Sequence, residues 1–448
     1  MTKTARQLHL GAILAGVGTE QNHWRHPDLP GDASVNIDWY IEHARKAEAA
    51  KFDHIFIVDS PFITPDTAPH FLNRLEPLTL LSAVAVSTSR IGLVGTLTTS
   101  YWEPFNVARQ FASLDLISRG RAAWNVVTTG LEGAARNYGR EEHFDHALRY
   151  RRAKEFVEVV EGLWDSYEDD AFPRDKAAGV FLDKSKQHRL DHKGEFFSVA
   201  GPLNIQRSRQ GRPVIFQAGD SDDGRGLGAA IADATFAAAA DFDSALAYTT
   251  DIKSRAAALG RDPDHILVFP GVHLVIADSD EEARAREDAR IGKLDFQKSL
   301  VELGRFFNYH DFRRYDPDAP FPDVSHLSLN SYKSSAEKVV RLARSENLTL
   351  RQTVERVVAS RRSAFVGSPK TIADEIERWF TAGAADGFNI RAGEASGFDR
   401  FAAEVVPLLQ ERGLFRRDYE GETLRGHFGL PFPQNRYASA RLADQAAE

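Results

Sequence analysis

A chain of 448 residues, 42% hydrophobic and 27% charged, is long enough to bury a large core, as one big domain or as two to three ordinary ones. Its 56 basic and 64 acidic residues leave a net charge of −8, which argues against nucleic acid or an anionic membrane surface as the main partner. The absence of cysteine excludes disulfides, thiolate nucleophiles, iron–sulfur clusters and cysteine-type zinc sites, and no apolar run approaches a membrane span.

Residues 1–7 lead straight into an apolar run, so no secretory signal is visible and the cytoplasm is the expected compartment. From there strand-like and helical patterns alternate: strand 8–14, helix 36–51, strand 54–58, helix 77–87, strand 91–97, and helix 104–118 opened by Pro104 at a first-turn position. Strand 122–127, helix 148–164, strand 214–217, helix 227–231, strand 235–239, helix 243–259, strand 266–276, helix 369–382 and strand 387–390 complete the series. Strand then helix, repeated, means parallel pairing with right-handed crossovers. Eight strands favour an α/β fold of the (β/α)8 TIM-barrel type enlarged by insertions, with a doubly wound sheet as the structural alternative.

Two segments break the rhythm. Residues 165–204 are polar and crowded with Asp, Lys, His and Gly, and the connection 281–364 is far longer than one crossover helix needs. Within the second, Asn308 to Asp316 mixes aromatics and charges, which suits either a lid over a pocket or a solvated loop. The expected organisation is therefore a barrel over 1–415 and a C-terminal extension over 416–448. That extension carries Leu424, Phe428, Leu430 and Phe432, with which it is expected to pack on the barrel or on a partner subunit.

In such a barrel the site lies at the carboxyl ends of the strands. The stretch from Gln217 to Arg225 joins the fifth strand to a helix, so Gly219, Asp220 and Ser221 sit where free backbone N–H groups and the helix dipole favour an anion such as phosphate. Ser221 can instead simply cap the helix. Asp59, Thr96 and Asn125 close other strands. Singly they read as a cap, a strand residue and a loop-bonding amide; together they form a ring of hydrogen-bonding groups suited to a polar, planar cofactor. His146 and Tyr150, four apart in a helical segment, project from one face, or else pack between helix and barrel. His143, Asp145 and His146, and His188 with His192, lack firm metal spacing with a supporting carboxylate, so no metal site is expected. The glycines at 16–18 and 224–228 do not make a dinucleotide turn.

Several ordered motifs carry a resemblance. Leu163 to Asp170, Asp191 to Phe197, Gly201 to Asn204, Trp24 to Pro27, Trp124 to Thr128, Ala134 to Gly139, Val366 to Pro369 and Gly383 to Asn389 are similar to the nitrilotriacetate monooxygenase component A family, within the bacterial luciferase-like superfamily, over nearly the whole chain. The resemblance implies a luciferase-type barrel that binds FMN, with flavin contacts falling on Asp59, Thr96, His146, Tyr150 and Ser221. One departure is Asp220, an acid beside the phosphate-binding serine that would repel phosphate unless it turns away, for example toward Arg225.

The implied activity is a monooxygenase reaction with O2 and reduced FMN, the latter from a separate NAD(P)H:flavin reductase because the chain shows no nicotinamide motif. A homodimer or homotetramer is expected. No side chain stands out as a catalytic acid, base or nucleophile. Substrate-facing candidates are Trp24 and His26 in the loop after the first strand, with neighbouring His23 and Arg25, and Arg391 after the eighth. Arg391, with Arg313, Arg314, Arg361 and Arg362, can pair with a carboxylate or sulfonate, although surface arginines need no such role. Relatives oxidise aminopolycarboxylates, sulfones and other small molecules, typically with loss of a C–N or C–S bond, and the sequence does not choose among them. Three other classes stay open: a deazaflavin-dependent hydride-transfer enzyme, a non-catalytic flavin-binding protein, and a barrel lyase for a phosphorylated sugar, the last wanting a lysine or acid–base pair at the strand ends.

Overall fold

A computed structural model describes residues 6–239, 241–292, 295–328, 333–359, 362–391 and 397–438. Eight parallel strands form the closed barrel: β1 His9–Ile13, β2 His54–Ile57, β3 Gly92–Thr98, β4 Ala122–Val127, β5 Val214–Gln217, β6 Ala234–Ala237, β7 Leu267–Ile276 and β8 Gly387–Arg391. Each neighbours the next in sequence. The ring closes where β8 pairs with β7 on one side and β1 on the other, with Ile13, Arg391 and His273 in register. The doubly wound alternative is therefore set aside. The strands are almost wholly buried, as expected for runs covered by side chains within the barrel and by helices outside it.

The helices are set by local signals. α1 Ile37–Ala49 is capped by Asn36, whose side chain accepts from Asp38 N and Trp39 N; α2 Pro77–Ala85 and α3 Pro104–Ile117 each begin on proline. α4 His146–Trp164, α5 Asp222–Ile231 and α6 Phe242–Ala258 follow β4, β5 and β6. Residues 165–204 contribute a small hairpin, His192–Lys193 with Ser198–Val199.

The long connection after β7 holds α7 Asp280–Gly292, α8 Phe296–Phe306, α9 Lys333–Ser345 and α10 Leu350–Ala359 before α11 Pro369–Thr381 leads into β8. α8 to α10 enclose a separate apolar cluster built on Leu300, Leu303, Phe307, Phe312, Val339 and Leu350. Polar contacts bind this helical unit over the carboxyl ends of the strands: Lys298 Nζ donates to Asn22 Oδ1 (2.9 Å), Asn308 Nδ2 to Glu132 Oε2 (2.8 Å), and Lys338 pairs with Asp220 (2.7 Å).

The amino end of the barrel is plugged. Leu424, Phe428 and Leu430 join the barrel-interior cluster, with the Phe428 ring centred 5.3 Å from His9 and 5.5 Å from Phe269. Gly92 makes room for this plug, since a Cβ there would stand 2.5 Å from Leu424 Cδ1. Beside it lies a buried ion network. Asp53 accepts from Leu10 N (2.8 Å) and pairs with His9 (3.0 Å) and Arg416, which also donates to the His427 carbonyl (2.9 Å). Arg425 pairs with Asp233 at 2.9 Å.

Candidate functional site

At the opposite, carboxyl end the chain leaves a cavity of about 960 Å³, roofed by the helical connection. Its wall includes Asp59 after β2, His26 and His23 from the loop after β1, and His273 and Arg391 from β7 and β8. Asp59 is held by Arg74 at 2.7 Å; burial raises its pKa above the usual carboxylate value, against the pull of that guanidinium. Burial, with Arg290 nearby, drops His273 to about 4, so its imidazole is neutral at physiological pH. Glu20 runs the other way. Burial disfavours its charge, yet the hydrogen bond from His23 and the charge of Arg290 hold it near 2.

The other expected cofactor residues sit on the neighbouring β3–β5 sector. Thr96 and Asn125 are register partners, both almost fully buried, and Asn125 Nδ2 donates to Thr96 Oγ1 at 2.9 Å. That bond leaves the threonine hydroxyl hydrogen free to donate, and Asn125 Oδ1 is buried without a hydrogen-bond partner among the described residues. Gln217 Oε1, at the end of β5, also has no partner among the described residues, but it faces α5, where a Cβ on Gly228 would stand 2.8 Å from it.

The turn after β5 has the shape its sequence calls for. Gly219 and Gly224 approach backbone to backbone: a Cβ on Gly219 would meet Gly224 Cα at 3.0 Å, and one on Gly224 would meet Gly219 C at 3.0 Å. Ser221 caps α5, its Oγ accepting from Gly224 N at 3.1 Å. The capping alternative is therefore realised, and it leaves the Ser221 O–H available to a ligand. Asp220 turns away from the helix end, with one carboxylate oxygen 2.7 Å from Arg225 and the other 2.7 Å from Lys338. His146, at the start of α4, pairs with Asp223 in the first turn of α5 (3.0 Å), and its ring lies 4.8 Å from that of Tyr150. His146 and Tyr150 thus adjoin the Ser221 turn. Burial, with Arg149 nearby, lowers the His146 pKa, and Asp223 partly offsets this.

Trp24 lies in a short turn, His23–Arg25, is 48% exposed, and does not line the cavity; His26 and Arg391 do. Of the possible metal groups, His188 is bonded to Glu168 and His192 to Glu155, each at 3.0 Å, and His143 to Tyr101. Arg313 pairs with Asp311 and Arg362 with Asp288, whereas Arg361 lies outside the described residues. Sequence reasoning missed Arg74, Asp223, Gln217, Arg149 and His273. Arg149 donates to the carbonyl of Thr128 at 2.9 Å, just past β4; its one available signal was a place one turn after His146 on a buried helix face.

Comparison with known proteins identifies a family. A family model described as luciferase-like monooxygenase matches residues 19–386. The chain is 47% identical over 440 residues to N-acetyl-S-(2-succino)cysteine monooxygenase of Bacillus subtilis (strain 168), covering 98% of this chain and 100% of that protein. It is 41% identical over 447 residues to nitrilotriacetate monooxygenase component A of Aminobacter aminovorans, covering 97% and 98%. Among solved structures, a riboflavin lyase with modified FMN and riboflavin superposes with a TM-score of 0.84 at 31% identity, covering 96% of this chain and 97% of that one.

Proposed function

Since the chain belongs to the luciferase-like monooxygenase family and is an oxygen-incorporating, flavin-using oxidoreductase, we propose that it works with reduced FMN delivered by a separate NAD(P)H:flavin reductase. Its substrate on this reading is a small organic molecule that loses a C–N or C–S bond. The observation that carries the reading is the unspent hydrogen-bonding capacity around the strand ends. Asn125 Oδ1 is a buried acceptor without a donor among the described residues, on the strand beside the one that leads into a helix start whose backbone is stripped of Cβ atoms at Gly219 and Gly224.

The residues fit the cofactor by chemistry. Ser221 O–H and the first N–H groups of α5 are donors for a phosphate, and Arg225 and Lys338 neutralise the Asp220 carboxylate that would otherwise repel it. His146 and Tyr150 flank that end. Thr96 and Asn125 offer one donor and one acceptor to the edge of a planar ring, and Asp59 adds an acceptor at the rim of the cavity. When bound, reduced flavin supplies the electrons that activate O2, so that one oxygen atom enters the substrate and the other leaves as water. The chain's own part is to bind, orient and exclude water, the last through the helical connection over the mouth. A homodimer or homotetramer belongs to the same proposal.

The test supplies reduced FMN through a generic reductase in air and screens polycarboxylates, sulfones and thioethers for product by mass spectrometry. An oxygen-dependent product supports the reading. Turnover only with a reduced deazaflavin under anaerobic conditions would replace it with hydride transfer, and FMN binding with no oxygen uptake coupled to any product would leave a flavin-binding protein.

A further inference from the structure

Four imidazoles line the cavity, His23, His26, His43 and His273, and only His23 stands close to a carboxylate that is itself fixed in place. His23 Nε2 lies 3.2 Å from Glu20 Oε2, and both belong to the loop after β1. Glu20 stays charged although burial opposes its charge, because His23 and Arg290 (3.5 Å) hold it so. Arg290 is in turn paired with Glu287 at 2.7 Å, which ties the two loop residues to α7. With the carboxylate on Nε2, that nitrogen carries the hydrogen and the lone pair falls on Nδ1, for which the described residues offer no hydrogen-bond partner. Nδ1 lies over the bare backbone of Gly18, also on the cavity wall, where a Cβ would stand 2.6 Å from it. The other three imidazoles are placed differently. His43 Nδ1 meets the Trp39 carbonyl at 2.8 Å, His273 is held neutral down to about pH 4, and His26 stands 3.9 Å from Asp28, a side chain that is 76% exposed.

We propose that His23, positioned by Glu20, is a general acid–base residue that breaks the C–S or C–N bond of the oxygenated substrate within the cavity, so that the chain carries out this cleavage itself instead of releasing an adduct that decays in water. The inference rests on the functional reading above and adds a second step to it. Oxygenation of the carbon beside sulfur or nitrogen leaves a hydroxyl and the heteroatom on one carbon. Nδ1 takes the hydroxyl proton, and the oxygen's electron pair forms the carbonyl as the C–S or C–N pair departs with the heteroatom, which then receives the proton back from Nδ1. The products are a carbonyl compound and a thiol or amine, and no oxidant, reductant or co-reactant is consumed. Glu20 steadies the imidazolium while it holds the proton.

The cleavage needs no flavin, so it is tested on the full chain alone with the hemithioacetal formed from acetaldehyde and 2-mercaptoethanol. Thiol release is followed with a chromogenic disulfide, to which a chain without cysteine is inert. The unaltered protein is expected to accelerate release about 100-fold or more over the uncatalysed rate, and His23→Ala should lose most of that gain. Added imidazole should restore much of the rate of His23→Ala, which a purely structural role would not allow. Glu20→Gln should lower the maximal rate about tenfold with the half-saturating concentration unchanged, and imidazole should not restore it. His23→Gln, closer to histidine in size, repeats the comparison without leaving a void. No acceleration by the unaltered protein, or full activity in both His23 variants, would overturn the proposal. So would a loss in a His23→Ala protein of unaltered melting temperature that imidazole does not recover. Failure of the flavin reading would appear separately, as absent FMN binding or absent oxygen-dependent product in the unaltered protein, with thiol release undisturbed.

Discussion

The two ends of the barrel differ in how their charges are met. At the amino end, Asp53, Arg416, Asp233 and Arg425 are buried charges with opposite charges at hydrogen-bond distance, and Phe428 fills the axis between His9 and Phe269. At the carboxyl end, Arg391 lines a cavity of about 960 Å³ with no ion-pair partner among the described residues, and Asn125 Oδ1 is buried without a donor among them. The difference is one of purpose. Charges matched within the chain hold the fold together, whereas on the proposed reading a charge left unmatched on the wall of the cavity meets a ligand.

The contrast breaks most visibly at Asp53. Asp53→Asn strands Arg416 in the core and should cost about 3–5 kcal/mol of stability, measured by urea unfolding, because removing one member of a buried pair exposes the other's desolvation penalty. FMN affinity of the folded fraction should not change; a loss of flavin binding as large as the loss of stability would show that the two ends are not independent. The acid limb of stability probes the same end. His54 is buried against Asn389 (2.9 Å) and its pKa is pulled by burial from 6.5 to about 4. The unfolded chain therefore takes up the proton that the folded one refuses. Stability contributed by the neutral imidazole is present above about pH 6.5 and is lost as pH falls toward 4. His54→Gln, which can keep the bond to Asn389, should flatten that limb, and an unchanged profile would remove His54 from it.

The strands were legible in the sequence because each is a short apolar run punctuated by turn residues, so their positions hold within a few residues: β4 and β5 match their expected bounds, and β8 exceeds its own by one residue. Helix α5 was placed five residues late, at 227 instead of Asp222, since the acidic, glycine-containing stretch 222–226 has poor helix propensity and is helical because Ser221 caps it. At the site, Arg225 as the partner of Asp220 was legible because the two are near in sequence. Lys338, on the other oxygen of the same carboxylate, was not: it is 118 residues away on a helix whose position depends on an apolar cluster of its own. That Arg391 has no ion-pair partner among the described residues was also beyond reach, since it depends on where distant acids such as Glu20, held by His23 and Arg290, are placed.

Ser221 tests the open end directly, where two functions share one hydroxyl. Ser221→Ala should weaken FMN by about 1–3 kcal/mol if the O–H donates to a charged phosphate, and should cost about 1 kcal/mol of stability through the lost cap. Ser221→Asp separates these effects, because aspartate caps as well as serine but repels phosphate. It should restore the melting temperature and leave FMN weak, while riboflavin binds all three proteins alike. Unchanged FMN affinity in Ser221→Ala would take this residue out of the site.

The smallest effect expected is at Lys338, and it asks whether the helical roof and the turn after β5 act together. The Lys338 side chain is 64% exposed, so its pairing with Asp220 is worth at most about 1 kcal/mol in stability and is screened by salt. Its value lies in charge balance, because Asp220 shares its carboxylate between Lys338 and Arg225. Lys338→Ala should therefore leave the melting temperature almost unaltered and weaken FMN by a few-fold at low salt, the deficit shrinking as salt is added. Asp220→Asn removes the negative charge itself and should tighten FMN modestly, since Arg225 keeps Asp251 at 3.0 Å as a partner. In that background Lys338→Ala should have no effect on FMN, because there is no longer a carboxylate to neutralise. If the two substitutions simply add, Lys338 acts on the cofactor by some route other than Asp220, and the roof and the turn are separate devices.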